Sequence, residues 1–192
     1  MIEAELKALL REPDAVLRRL EAAYGPGRVE RYRDTYYDTP DGQLTAGDRE
    51  LRIREVTGAD GDRAVLLTYK DARVDEASGS KPEHETRVAD AEAAHAIVRG
   101  LGHRPGLVFE KHCRTYAFEH QGRRMLAALV RVAELDGVFL EVETAAADER
   151  ELPAALAAVR AVLAGLGVAE GDLTAELYTE AVAAARRRPT GK

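Results

Sequence analysis

The chain has 192 residues, with 28 Lys and Arg against 34 Asp and Glu, a formal net charge of −6, one cysteine and no tryptophan. This acidity argues against a nucleic-acid-binding face, which needs a broad surplus of cations. The lone Cys113 excludes an internal disulfide and a cysteine-rich zinc site, and no apolar run reaches the roughly 18 residues of a membrane span. The length suits one domain, 1–192, with a strand-rich part over about 1–145 and a helical part over about 146–188. With few aromatics, the core is expected to be Leu, Val and Ala. No signal-peptide pattern opens the chain, and a cytoplasmic protein, monomer or homodimer, with no membrane or nucleic-acid partner is expected.

Residues 2–8 alternate in polarity and read as a strand. Residues 13–24 place Val16, Leu17 and Leu20 at helical spacing, with Pro13 in the first turn and Gly25-Pro26-Gly27 as the stop. A strand over 28–38 leads to a turn-rich connection over 39–47, where Tyr36, Tyr37 and Asp38 read as structural. Strands over 50–57 and 63–70 flank the loop Gly58-Ala59-Asp60-Gly61-Asp62. The polar stretch 71–81 reads as a mobile loop. A strand over 82–89 and a helix over 90–101 follow, then strands over 107–119 and 123–133 around His120-Gln121-Gly122, and a strand over 138–145. Helices are expected over 148–166 and 172–186, the first with Leu152, Leu156, Val159, Val162 and Leu163 as its apolar stripe. Arg186-Arg187-Arg188 reads as a solvated terminus. Cys113 reads as a small core residue, and His84 and His112 as outward-facing.

Five segments carry charge on one face and apolar groups on the other. Glu3, Glu5 and Lys7 oppose Ile2, Ala4, Leu6 and Ala8, because side chains reverse direction at every strand residue. Arg52 and Arg54 oppose Leu51 and Ile53; Leu66 to Lys70 ends a β-rich run in a lysine; Glu83, Glu85 and Arg87 share a side; Glu141 and Glu143 oppose Leu140 and Val142. Any one of these is also readable as a half-buried strand with a solvated charged face. Their segregation into acid pairs and base pairs is better met by a closed sheet with charged faces lining a lumen and apolar faces packed against helices outside. Charges so confined must pair, or hold a polyanion and metal ions, because burying unpaired charge is costly.

Glu3, Glu5 and Lys7 form a Glu-x-Glu-x-Lys motif. It is followed in order by Tyr37-Asp38-Thr39-Pro40, Leu51-Arg52-Ile53-Arg54, Leu67-Thr68-Tyr69-Lys70, Glu83-His84-Glu85, Glu110-Lys111-His112-Cys113-Arg114 and Phe139-Leu140-Glu141-Val142-Glu143. In this ordered set the chain resembles the CYTH superfamily of class IV adenylate cyclases, thiamine triphosphatases and inorganic triphosphatases. The resemblance implies an α+β fold, an antiparallel eight-stranded β-barrel (a tunnel) with flanking helices. It also implies a triphosphate or nucleotide substrate, with Mg²⁺ or Mn²⁺ as cofactor held by Glu3, Glu5, Glu141 and Glu143. Where members often carry a metal-binding Asp, this chain has Val130 or Arg131, leaving Glu134 and Asp136 as replacements or as turn residues.

A triphosphate carries about four negative charges near neutrality, so it requires several cations. The expected set is Lys7, Arg52, Arg54, Lys70, Lys111 and Arg114, with arginine gripping phosphate through paired donors and lysine acting as a point charge. Lys111 and Arg114 have opposite strand parity; both face inward only with a bulge or a strand twist, and Arg114 is the one retained if only one does. Glu85 either joins the substrate site or fixes a neighbouring arginine. Glu5, Lys7 and Glu143 are the catalytic candidates. Water as nucleophile gives triphosphate hydrolysis, whereas a ribose 3′-hydroxyl gives cyclic AMP and pyrophosphate. A non-catalytic triphosphate-binding module is the third reading.

Overall fold

The computed structural model describes residues 1–188; the last four residues of the domain read from sequence lie outside them. Eight strands, β1 (Ile2–Leu9), β2 (Arg28–Asp38), β3 (Glu50–Gly58), β4 (Arg63–Lys70), β5 (Lys81–Val88), β6 (Arg104–His120), β7 (Arg123–Val132) and β8 (Phe139–Ala146), are accompanied by five helices. The helices are α1 (Pro13–Tyr24), α2 (Gln43–Ala46), α3 (Ala91–Gly100), α4 (Leu152–Gly165) and α5 (Tyr178–Arg187). The strands close into an antiparallel barrel in the order β1-β5-β4-β3-β2-β6-β7-β8. Closure removes the unpaired edges that an open sheet exposes.

Local chemistry sets the boundaries. Pro13 opens α1, and Gly25, at φ 83°, turns the chain away while its N–H caps Glu21. Gln121 and Gly122, at φ 51° and 73°, make the tight turn between β6 and β7. The Asp38 carboxylate accepts from the N–H groups of Thr39, Leu44 and Thr45, which turns 39–47 from an open connection into the short helix α2.

Apolar faces point outward, as the alternation requires. Leu6, Ala8, Ala127, Leu129, Leu140 and Val142 pack under Val16 and Leu20 of α1 and Val159, Val162 and Leu163 of α4. Ala94 and Val98 of α3 cover Tyr37 and Ile53 on the opposite wall. The inward faces of β6 and β7 are apolar at one end of the barrel. There Phe109, Cys113, Val130 and Val132 receive Tyr178 and Val182 of α5, which stoppers that end.

The final helix begins at Tyr178 rather than at 172. A 3₁₀ turn at Glu170–Asp172 and an extended stretch precede it, because Leu173 bridges to Ala8 and the Thr174 N–H donates to the Lys7 carbonyl. Joining the β1 ladder satisfies backbone groups that a helix would otherwise pair internally. The stretch 71–81 is likewise tethered: Arg73 forks onto Asp48 at 2.7 and 2.8 Å, and buried Lys81 bonds the Asp48 carbonyl and Glu50. Around the circumference the seams are unequal. β1 pairs with β8 at every residue from Ile2 to Leu9, but with β5 only at Ile2 and Glu3.

Candidate active site in the barrel lumen

Side chains of one parity on each strand meet in a cavity of about 1030 Å³. β1 contributes Glu3, Glu5 and Lys7; β3 Arg52 and Arg54; β4 Lys70; β5 Glu83 and Glu85; β6 Lys111; β8 Glu141 and Glu143. Register explains the convergence: Glu5 lies opposite Glu143 and Lys7 opposite Glu141 across one seam, and Lys70 opposite Glu83 across another.

The arginines form one wall. Arg54 donates from Nε and an Nη to both oxygens of Asp34, each at 2.7 Å, and Arg52 lies 3.9 Å from the same carboxylate. Asp34 is wholly buried, and although burial opposes its ionisation, Arg54 and then Arg52 hold its carboxyl well below the usual range. Arg52 donates to Thr68, whose hydroxyl donates onward to Glu85 at 2.9 Å. Glu85 therefore faces Arg52, at 3.8 Å, in the arginine-fixing position that was one of its two readings. The Arg52 Nε is buried without a hydrogen-bond partner, which is uncommon for a buried donor.

Carboxylates gather on the facing wall. Glu3, Glu5 and Glu143 each present an oxygen such that all three lie within 4.8 Å of one another. Glu3 bonds Lys70, which also approaches Glu83 at 3.5 Å. Glu5 and Glu143 have no cation at ion-pair distance among the described residues. Burial, then Glu141 and Glu3, pushes Glu5 up to about 8; burial, then Glu3 and Glu5, raises Glu143 well above the ordinary range. Burial and Glu3 bring Glu83 to about 7. Glu3 is lowered instead, because Lys70 outweighs its desolvation.

Glu141 stands apart from that trio, 3.7 Å from Lys111. Its carboxyl is lowered despite burial, chiefly by Lys111, with the Tyr178 hydroxyl beside it and Lys7 assisting. The Lys7 ammonium is lowered by burial, against the pull of Glu141 and Glu5, and donates to the Glu176 carbonyl.

Arg114, retained from sequence, is outside the lumen. It bonds Glu21 of α1 and the Pro26 carbonyl, while Lys111 faces inward and is 4 % exposed. β6 runs in unbroken register with β7 past both residues, so no bulge rescues the parity; the irregularity on β6 falls against Tyr36 and Tyr37. Neither Glu134 nor Asp136 reaches the carboxylate trio: Glu134 pairs with Arg186, and Asp136 is exposed. Arg186 also donates to the Val108 carbonyl, so this part of the expected solvated terminus is anchored. Cys113 is buried, and that burial raises its thiol to about 12. Sequence reasoning missed Asp34, although Asp34 pairs directly across from Arg54.

A closed barrel with an acid trio facing a wall of arginines and lysines defines a protein whose lumen gathers opposite charges in one cavity. The chain belongs to the CYTH domain family, whose model matches residues 1–178. It is 25% identical over 181 residues to a Methanocaldococcus jannaschii protein that carries the provisional name adenylate cyclase, covering 94% of this chain and 98% of that one. The solved structure of the PH1819 protein from Pyrococcus horikoshii superposes with a TM-score of 0.80 at 27% identity, over 95% of this chain and 98% of that one. A Hippeastrum protein, provisionally an adenylyl cyclase and reported to have a dominant triphosphatase activity, shares the fold at a TM-score of 0.61 and 16% identity, over 98% and 97% of the two chains. No helix among the described residues is long and apolar enough to cross a membrane.

Proposed function

We propose that the protein cleaves a phosphoanhydride of an inorganic or organic triphosphate with the aid of a divalent cation. One observation carries this reading: a single cavity holds Arg52, Arg54, Lys70, Lys7 and Lys111 beside a carboxylate trio in which Glu5 and Glu143 have no ion-pair partner. The residues fit Mg²⁺ or Mn²⁺. Their donors are all oxygens, which suits these hard ions, and the raised Glu5 and Glu143 mark a crowding of negative charge that a dication relieves. Glu3, Glu5 and Glu143 would hold the ion, with Glu141 nearby on the Lys111 side. When bound, the ion would neutralise charge on the transferred phosphoryl group and position the attacking water or hydroxyl.

The chain's own groups do the rest. Arg54, fixed by Asp34, and Arg52, with its free Nε, grip phosphate oxygens along one wall. Lys70 adds a point charge beside the acid trio, and Lys7 and Lys111 add two more around Tyr178. Lys7 gives up its proton more readily than a solvated lysine, which suits it to protonate a departing phosphate. Burial strengthens each of these interactions by excluding water.

Cyclisation of ATP is the second reading, supported by the name of the Methanocaldococcus relative and by a cavity large enough for a nucleoside beside its phosphates. The test incubates purified protein with Mg²⁺ or Mn²⁺ and either tripolyphosphate or ATP. Orthophosphate release is the expected result. Cyclic AMP with pyrophosphate would establish the second reading, and tight binding without turnover would leave a non-catalytic module.

A further inference from the structure

The proposed chemistry uses strands alone, yet the helix that stoppers the barrel also reaches the site. Tyr178, the first residue of α5, lines the cavity with its ring 4.2 Å from the Lys7 Nζ and 4.1 Å from the Lys111 Nζ. Two ammonium groups thus share one aromatic ring, whose negative faces offset their mutual repulsion. The ring is locked edge-on against Phe139, at 88° and 5.2 Å between centroids. Tyr178 is only 7% exposed, and its hydroxyl is buried without a hydrogen-bond partner. Glu141 lies close enough to that hydroxyl for each to shift the other's ionisation, but no hydrogen bond of ordinary geometry joins them. A buried phenol normally finds a partner, so an unpaired one beside two lysines is a donor lacking its acceptor.

We propose that Tyr178 is a substrate-binding residue, donating its hydroxyl to the phosphate oxygen that Lys7 and Lys111 neutralise, so that anion binding and seating of α5 reinforce each other. This rests on the lumen being a triphosphate site. The segment leading into α5 supports the coupling. Thr174 donates to the Lys7 carbonyl and Lys7 donates to the Glu176 carbonyl, so Lys7 is bonded at both ends to the strap that delivers Tyr178. An anion that draws Lys7 and Tyr178 together acts on both ends of that strap at once.

The experiment measures binding of tripolyphosphate and of ATP, with Mg²⁺ present, by titration calorimetry to the wild type, Tyr178→Phe and Tyr178→Leu. Steady-state kinetics on the same proteins separate KM from kcat, and thermal unfolding without ligand reports folding. Tyr178→Phe keeps the ring and loses only the hydroxyl. It should unfold like the wild type and bind roughly tenfold more weakly, the scale of one hydrogen bond to a charged group, with KM rising more than kcat falls. Tyr178→Leu also removes the aromatic face and should bind more weakly still. Wild-type protein that binds neither tripolyphosphate nor ATP in this assay overturns the function proposed above. Wild-type binding matched by Tyr178→Phe leaves that function standing and overturns the role of Tyr178, returning the hydroxyl to a partner of Glu141.

Discussion

Replacing Asp34 by Asn tests how the arginine wall is held. Asp34 is fully buried and accepts two hydrogen bonds from Arg54 at 2.7 Å, with Arg52 at 3.9 Å; the two arginine side chains are only 14% and 11% exposed. The amide keeps the shape but loses the charge and one acceptor, leaving two guanidinium groups in the lumen without their shared counterion. Breaking a buried pair from one side costs about 3–5 kcal/mol, and the retained carbonyl places this change near the lower end, about 3 kcal/mol. For a chain of this size that corresponds to a fall in Tm of about 6–12 °C. The sign with pH follows from the lowered Asp34 carboxyl. Its stabilisation is fully present above the ordinary Asp value, near 3.9, and is lost as pH falls from there through the lower folded value. Urea unfolding of both proteins at pH 7 and at steps below pH 4 gives the comparison. The expected gap is near 3 kcal/mol at pH 7 and narrows on acidification. A gap under 1 kcal/mol at pH 7, or one that widens with acid, would refute the counterion role.

Three further expectations concern the site and its boundary. Glu5→Gln and Glu143→Gln should each abolish metal-dependent turnover while leaving the protein folded, since the neutral amide fits a place where burial already favours an uncharged carboxyl but removes a ligand; full activity in both, read by phosphate release, would remove the carboxylate trio from the reaction. Divalent-ion affinity should rise with pH up to about 8, because the ion must displace a proton that burial and neighbouring carboxylates hold on Glu5; calorimetry in buffers of different ionisation enthalpy should show proton release below pH 8, and affinity unchanged from pH 6 to 9 would contradict this. Arg114→Ala should leave KM for triphosphate within twofold and cost under about 1 kcal/mol in stability, because its partner is Glu21 outside the barrel and both side chains are more than a third exposed; a tenfold rise in KM would return Arg114 to the lumen.

The barrel was readable because its interior is charged. Strand periodicity assigns each side chain to one of two faces, and segments such as Glu3 to Lys7 and Leu51 to Arg54 sort acids or bases from aliphatics at that period. The same rule would have found Asp34, which shares a face with Glu30, Tyr32 and Tyr36 on β2. That face mixes two carboxylates with two tyrosines, and Arg31 and Arg33 on the other face are charged as well, so β2 carries no such contrast and the meaning of Asp34 emerges only when register sets it opposite Arg54. With opposite parity only one of Lys111 and Arg114 can face inward on a regular strand, and preferring Arg114 chose the wrong one: the ladder between β6 and β7 is continuous and Lys111 takes the lumen side. The strap before Tyr178 falls within the helix expected from sequence over 172–186, and Ala175, Glu176 and Leu177 do favour that state locally. A backbone bond to Lys7, 167 residues earlier in sequence from Thr174, overrides that preference.

The narrow junction of β1 with β5 makes the site's integrity a matter of one vulnerable stave. Only two residue pairs knit that line, and beside it Lys70 clasps Glu3 from the far side. Local openings favour the stretches with fewest ladder bonds, so the cylinder should gape here before elsewhere. Such a gape would carry the carboxylates on β1 away from Lys70 and Glu83, dividing the charges that a bound polyphosphate would bridge. In this molecule, loosening the wall and dismantling the chemistry are one event.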